Sequence, residues 1–331
     1  MTDSPSKFQE RGADEVPDVS VIMSAFNAQR TVAAAIGSVL RQSCARFELL
    51  VVDDASTDRT VSVVQSFEDP RVRLLTRDRN EGPGPCRDAA ISLARGRWVT
   101  FLDADDIYEE HRLEAMLRVA NAHPADIIVD DIVDCHDSGA TLVPWRRVWD
   151  ERRFGPSGAS IREVDLVRLL AEDRLLVKPM MSRELILRSG ATHGTSRNGE
   201  DLAFLFALFA SGAVIRYVPI PTYLYRMTPN SLSTSNPDRH RLYRDVFAQA
   251  RPLFAADPRA LDAIDLRLSQ LSRMQVYLDW FGALRQRRWA GVAKSAWTHP
   301  WVLAEFAKRV ASRLPFHAHR IIHGGARRTI E

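Results

Sequence analysis

The chain has little cysteine: three residues in 331, Cys44, Cys86 and Cys135. They are odd in number and far apart, without metal-type spacing. A disulfide framework is therefore excluded, and a reduced, cytoplasmic setting is expected. No apolar run reaches the ~18 residues that a membrane span needs. The longest, Leu202 to Ala210, reads as a buried helix. Met1 to Pro17 lacks an apolar core of signal-peptide length and is expected to be disordered. Internal repeats and low-complexity blocks are also missing, which excludes solenoids and fibrous arrays. Acid is scarce in one place. From Gly282 to Glu331 ten Lys/Arg stand against two acids, so the tail carries +8 while the whole chain carries +3. A basic tail on a mildly acidic body points to an anionic partner. No nucleic-acid-binding module is recognisable, so nucleic acid is not expected. Trp289, Trp297 and Trp301, with Arg287 and Arg288, suit a membrane interface. They equally suit a helix packed on the body with its basic face in water. His317, His319 and His323 lack other ligand types nearby and read as part of a solvated tail.

What is present is strand alternating with helix. Val19–Met23, Phe47–Val52, Val72–Leu75, Trp98–Leu102 and Asp126–Val129 read as strands, being short, apolar and rich in β-branched residues. Helices are expected over 29–41, from Thr57 as N-cap through Phe67, over 86–94 with Gly96 at its C-terminus, and over 109–120. This alternation predicts an α/β fold with parallel pairing. Ser24, Asp53 and Asp103/Asp105 then fall along one sheet edge, where open α/β sheets bind ligands. Ser138 to Ser160, rich in Gly, Pro, Trp and Arg, reads as a mobile flap. Lys178–Met181 reads as a short extended segment. Ala213–Val218 and Thr222–Arg226 are strand-like, the chain beyond Asp238 is mostly helical, and 300–315 forms an amphipathic helix with Trp301, Val302, Phe306 and Val310 on one side.

The chain is organised around Trp98–Asp106, an apolar strand followed at once by Asp103, Asp105 and Asp106. Three carboxylates so crowded repel unless a cation or a hydrogen-bonded sugar takes up the charge. An all-oxygen set suits Mg²⁺ or Mn²⁺ bound together with phosphates. Asp106 is expected to cap the following helix.

Taken in order, Val19–Asn27, Val51–Asp58, Phe101–Asp106, Gly199-Glu200-Asp201 and Tyr225-Arg226 resemble family 2 of the inverting glycosyltransferases, over roughly residues 18 to 232. Lys178-Pro179 and Tyr225–Ser231 resemble more narrowly the bacterial exopolysaccharide glucosyltransferases of the succinoglycan type. The resemblance implies a GT-A fold, a Rossmann-like and mostly parallel central sheet flanked by helices. It implies a disordered 1–17, a catalytic domain over 18–235 and a helical, basic C-terminal extension over 236–331. It also implies a nucleotide-sugar donor, with UDP favoured, Mn²⁺ or Mg²⁺, and a glycan acceptor carried on a lipid diphosphate at the cytoplasmic membrane face.

Roles follow from the same resemblance. Ser24, Ala25, Phe26 and Asp53 line the nucleotide pocket, with Asp53 accepting from the uracil N–H and Asp54 structural. Asp103 meets the ribose or the metal, and Asp105 the metal that bridges the phosphates. Asp201 is the base that takes the acceptor proton, and Glu200 contacts the acceptor or orients Asp201. Arg226 covers the diphosphate. Asn80, Gly82 and Arg87 match a segment near the nucleotide, although Asp88 stands where the family often has Asn. Two rivals remain: a sugar nucleotidyltransferase, which would carry a Gly-rich loop after the first strand where Ser24 to Arg30 has none, and a non-catalytic scaffold at the membrane.

Overall fold

The computed structural model describes residues 16–44, 46–138, 142–147, 161–171, 178–195, 199–227 and 239–310. These fall into two compact units divided between Arg267 and Leu268, inside the helix Pro258–Arg285. The expected disorder of residues 1–17, most of the flap and the three tail histidines lie outside the described residues, Val16 and Pro17 excepted.

The first unit is built on one sheet. Its strands are β1 (Val19–Ala25), β2 (Phe47–Asp53), β3 (Val72–Thr76), β4 (Trp98–Phe101), β5 (Ile107–Tyr108), β6 (Ile127–Asp137), β7 (Leu142–Arg147), β8 (Arg162–Glu163), β9 (Met180–Ser182) and β10 (Ile215–Met227). They run in the order β3-β2-β1-β4-β9-β6-β10-β5, with β7 on β6 and β8 on β10. β3, β2, β1 and β4 are parallel, as are β6 and β10. Every residue of β2 is buried, as expected of a parallel strand covered on both faces. The helices α1 (Val32–Leu40), α2 (Thr60–Gln65), α3 (Pro83–Leu93) and α4 (Arg112–Ala122) punctuate this half. α1 buries Val32, Ala35, Ile36, Ser38 and Val39, the spacing of one helical face.

The antiparallel part departs from the expectation. β9 sits between β4 and β6, antiparallel to both, so the sheet is mixed at its centre. The strand expected over 126–129 runs eleven residues, Ile127 to Asp137. The two segments near 213–226 are one strand, with register shifts around Pro221. Part of the expected flap is strand β7, paired with β6.

Three local readings are corrected by tertiary contacts. Thr57 does not cap α2; its N–H donates to Asn27 Oδ1 at 2.9 Å, and α2 begins after Arg59. Gly96 is not a left-handed helix terminus. Its N–H donates to Ser20 Oγ, and a Cβ there would lie 2.5 Å from the Ser20 nitrogen, so glycine allows the close approach of chains. Asp106 does not cap α4, which begins after His111 without a side-chain cap. It is buried and accepts from Tyr223 Oη at 2.6 Å and from the Arg226 N–H at 2.8 Å.

One buried ion pair ties the two halves of the sheet. Arg112 is wholly buried and donates from Nε and Nη2 to Asp130, with Lys178 O also accepting from Nη2. The rings of Tyr108 and Tyr223 flank it. Such a pair costs much to desolvate, and its directional hydrogen bonds fix which strands meet. Here they place Lys178 beside β4.

In the second unit, Tyr277, Trp280 and Val302 form a small core with Phe281, Val292, Trp301 and Phe306 against it. Residues 301–310 are helical. Trp301, Val302 and Phe306 face this core as expected, but Val310 is exposed. No helix among the described residues is long and apolar enough to cross a membrane.

Candidate functional site

The loops leaving β1 and β2 are laced together. In the parallel register Ala25 stands opposite Asp53. Asp54 N donates to Ala25 O, Asn27 N to Ser56 Oγ, and Ala28 N to Thr60 Oγ1, all at 2.8–2.9 Å. Asn27 and Ala55 both take the left-handed backbone region, at φ 50° and 59°. Non-glycine residues held there mark a turn that the surroundings enforce. Ser24 is half-buried, Ala25 is buried and Phe26 is 50 % exposed. Asp53 is buried. Its Oδ2 accepts from Ser56 N, while Oδ1 has no hydrogen-bond partner. A buried acceptor without a donor is costly, and a ligand N–H would relieve it. Asp54 is fully engaged, accepting from the N–H groups of Glu81 and Gly82 at 2.9 and 2.8 Å, which fixes the start of α3.

Arg87, one turn into α3, is the centre of the acidic cleft. Its guanidinium is 6 % exposed, donates from Nη2 to Asp103 Oδ1 at 2.8 Å and from Nη1 to Asp201 Oδ1, and lies 3.5 Å from Glu200. Lys178 Nζ donates to the other oxygen of Asp103. Burial alone would raise the Asp103 pKa, but Lys178 and Arg87 outweigh it and hold this carboxyl well below the usual range. Asp105 has the opposite balance: burial, and then the charge of Asp103, push its pKa up. Asp106 is pushed further up by burial and by both neighbouring acids. Glu200 is raised by burial and by Asp201.

The helix Glu200–Ala210 delivers the last two acids. Gly199 precedes it at φ 80°, and a Cβ there would lie 2.7 Å from Val246 Cγ2, so glycine is required twice over. Leu202, Phe204, Leu205, Phe206, Leu208 and Phe209 bury the helix, leaving its first turn at the cleft. Arg226, 9 % exposed, closes the far side; its Nε donates to Asp105 O at 2.6 Å, and Nη1 pairs with Asp137 at 2.7 Å.

The structure thus gathers Asp103, Glu200 and Asp201 on Arg87, sets Asp105 and Arg226 beside them, and places Ala25 and Asp53 on adjoining strands. Three participants were not nominated for the parts they take: Arg87 and Lys178, noted in the sequence only within matching segments, and Tyr223, which carries no local signal. Among the described residues no ready-made group of three His, Cys, Asp or Glu is arranged around a cation. The donor set nonetheless fits an ion that keeps waters and takes its remaining ligands from phosphates. Asp105, with its raised carboxyl, gains by facing a cation, as Mg²⁺ and Mn²⁺ sites with one or two carboxylates do.

A parallel half-sheet with loop-borne acids gathered at its carboxyl edge is an α/β architecture of the kind that binds ligands at that edge. Comparison with known proteins makes this specific. Residues 20–166 match the family model described as Glycosyl transferase family 2. The chain is 31 % identical over 327 residues to the succinoglycan biosynthesis protein ExoO of Rhizobium meliloti (strain 1021), covering 94 % of this chain and 90 % of that one. It is 44 % identical over 99 residues to the UDP-Glc:alpha-D-GlcNAc-diphosphoundecaprenol beta-1,3-glucosyltransferase WfgD of Escherichia coli, covering 30 % of this chain and 39 % of that one. The crystal structure of S. aureus TarS 1-349 in complex with UDP-GlcNAc superposes with a TM-score of 0.62 at 18 % identity, over 88 % of this chain and 92 % of that one. The chain belongs to glycosyl transferase family 2: it is a glycosyltransferase with the expected GT-A fold.

Arg87→Met removes the cation that three acids share. Asp103 keeps Lys178 and Asp201 is 48 % exposed, so the expected loss is below that of a fully broken buried pair, about 1–3 kcal/mol of stability at pH 7. Asp103 is held below its unfolded value, so its contribution is fully present above the ordinary carboxylate range and is lost as pH falls below that range toward the folded value. The gap between wild type and variant, read from urea unfolding midpoints, is therefore expected to hold from pH 7 to about pH 5 and to shrink as pH falls below about 4. A gap that stays constant or widens contradicts the hub.

Proposed function

We propose that the chain transfers a sugar, with inversion, from a UDP-sugar to a hydroxyl of a glycan carried on a lipid diphosphate, in the assembly of a bacterial polysaccharide. The observation that carries this reading is the convergence of Asp103, Glu200 and Asp201 on the Arg87 guanidinium. Carboxylates on the donor side and a base candidate on the acceptor side then share one cleft. The relatives ExoO and WfgD support the polysaccharide setting and, for WfgD, a UDP-glucose donor and a lipid-diphosphate acceptor.

In this reading Asp53 Oδ1 accepts from the base N–H that its buried, unpartnered oxygen awaits. Phe26, half-exposed beside it, packs on the ring. Asp105 and Asp103 hold Mn²⁺ or Mg²⁺, which when bound supplies Lewis-acid neutralisation of the departing diphosphate. Lys178 and Arg87 keep Asp103 ionised and in place. Arg226 adds positive charge on the diphosphate side. Asp201, with its side chain 48 % exposed, accepts the proton of the incoming hydroxyl, and Glu200 behind it orients the acceptor. Attack from the face opposite the leaving group inverts the anomeric centre.

The same reading places the chain peripherally at the inner face of the cell membrane. In the second unit Trp289 and Trp297 are 63 % and 88 % exposed on one helix, next to Arg287, Arg288 and Lys294. Exposed indole beside basic charge is the composition of an interfacial helix. Trp289→Ala with Trp297→Ala is expected to reduce co-flotation with vesicles containing anionic lipid; unchanged flotation contradicts the membrane role.

The site reading is tested by thermal stabilisation. With Mn²⁺, UDP is expected to raise the melting temperature, since a ligand at a hundred times its Kd adds about 2.7 kcal/mol. Asp105→Asn abolishes the Mn²⁺ dependence, and Asp201→Asn abolishes sugar transfer while leaving UDP binding intact. A flat response to UDP, dTDP and GDP, with and without metal, contradicts the reading, as does full activity of the Asp201 variant.

A further inference from the structure

His193 faces the proposed base from behind, and nothing in the site described so far uses it. The imidazole is 1 % exposed. Its Nδ1 is 2.7 Å from Asp88 Oδ1, and the same carboxylate accepts from the backbone N–H groups of His193 and Gly194 at 3.0 and 3.3 Å. The ring stacks on Phe204 at 4.1 Å with 9° between planes and meets Phe101 edge-on at 5.2 Å. Its remaining nitrogen, Nε2, is buried without a hydrogen-bond partner and lies 4.0 Å from Asp201 Oδ1. Asp88 is on α3, one residue from Arg87, and Gly84 on the same helix touches the His193 segment so closely that a Cβ would lie 2.6 Å from Gly194 O. Among the described residues the charged groups facing the ring are Asp88, Asp201 and, across Phe101, Arg87, with Glu200 packed beside the same glycine, Gly84.

Ring packing alone leaves two things unexplained. A phenylalanine would stack as well without burying a nitrogen that finds no hydrogen-bond partner, which is costly. Nor would it need an anion on its far edge. Asp88 accounts for both, because a carboxylate on Nδ1 fixes the ring orientation and the tautomer, leaving Nε2 as the acceptor. That acceptor points at a carboxylate which Arg87 already grips. An ordinary imidazole binds a proton more tightly than an ordinary carboxylate, with pKa values of about 6.5 against about 3.9.

We propose that Asp88 and His193 form a relay behind Asp201, in which His193 is a positioning residue that takes the proton onward. This rests on the reading of Asp201 as the base. The acceptor O–H bond breaks as its oxygen bonds to the anomeric carbon. The bond from that carbon to the diphosphate oxygen breaks, and its electron pair leaves with the nucleoside diphosphate. The proton goes to Asp201. A small turn of that half-exposed side chain brings it onto the lone pair of His193 Nε2. The imidazolium then lies between two carboxylates, and it returns the proton to water before the next turnover.

His193→Phe keeps the ring stacking and removes the relay. With Mn²⁺ and UDP-glucose or UDP-N-acetylglucosamine, and water as acceptor, its kcat for sugar-nucleotide hydrolysis is expected to fall about 10- to 100-fold, the low side of general-base contributions. KM and the UDP-induced melting shift stay at wild-type values. Histidine ¹⁵N NMR of the full chain supplies a readout independent of turnover: the His193 Nε2 resonance, assigned by its loss in His193→Phe, moves on Asp201→Asn and on Asp88→Asn. Wild-type kcat in His193→Phe, a fall in kcat matched by lost UDP binding, or a His193 resonance indifferent to Asp201→Asn overturns the relay. A wild-type chain that neither binds nor hydrolyses these nucleotides overturns the glycosyl-transfer reading instead, and the NMR comparison then still decides whether His193 and Asp201 are coupled.

Discussion

One guanidinium holds the acidic cleft together. Arg87 is buried among Asp103, Glu200 and Asp201, and without a cation at that point these carboxylates would repel one another. The arrangement is costly to desolvate, so the surrounding structure must enforce it. Asp54 anchors the start of α3 through two backbone N–H groups, and the parallel sheet supplies the rigid edge from which Asp103 projects. Arg87 also joins what is proposed to be the donor side to what is proposed to be the acceptor side, so charge changes on one are felt on the other.

The acids divide by environment although four of them are close in space. Asp103 is kept ionised by Lys178 and Arg87, whereas Asp105, Asp106 and Glu200 are pushed toward the protonated form by burial and then by neighbouring acids, Asp103 among them in each case. Tyr223 links two of them, accepting from the Asp103 N–H and donating to Asp106. Groups whose environments push their proton affinities apart serve different tasks in one site. Asp106, sealed under Tyr223 and the Arg226 backbone, supports the loop. On the proposed reading, Asp105 is the acid left to face the cation.

The parallel half of the fold was legible because its strands are continuous apolar runs and each loop carries its own chemistry. Phe47–Asp53 and Trp98–Phe101 could be read without knowing their neighbours. The rest was legible only in part: 178–181, 213–218 and 222–226 read as extended, but their pairing could not be read. Three residues, Met180 to Ser182, make a strand only because β4 and β6 lie on either side. The sequence separates 213–218 from 222–226, yet β10 runs through Pro219 and Pro221 as one strand, with register shifts at Pro221. The site divides in the same way. Asp103, Asp105, Glu200 and Asp201 were nominated from local motifs and a resemblance. Arg87 was noted only as part of a segment near the nucleotide; its place as hub was not legible, because its partners lie 16 and 114 residues away. Asp106 and Thr57 looked like caps because capping is the local use of such residues; distant hydrogen bonds claimed both.

The account stands on Arg87 and Asp201 forming one energetic unit despite their separation in sequence. A double-mutant cycle with Arg87→Met and Asp201→Asn, read by urea unfolding at pH 7, measures this directly. A shared cleft predicts non-additivity of about 0.5–3 kcal/mol, with the second substitution costing less once the first is made. Strict additivity would mean that the two side chains do not feel each other, and the cleft described here would not exist in solution.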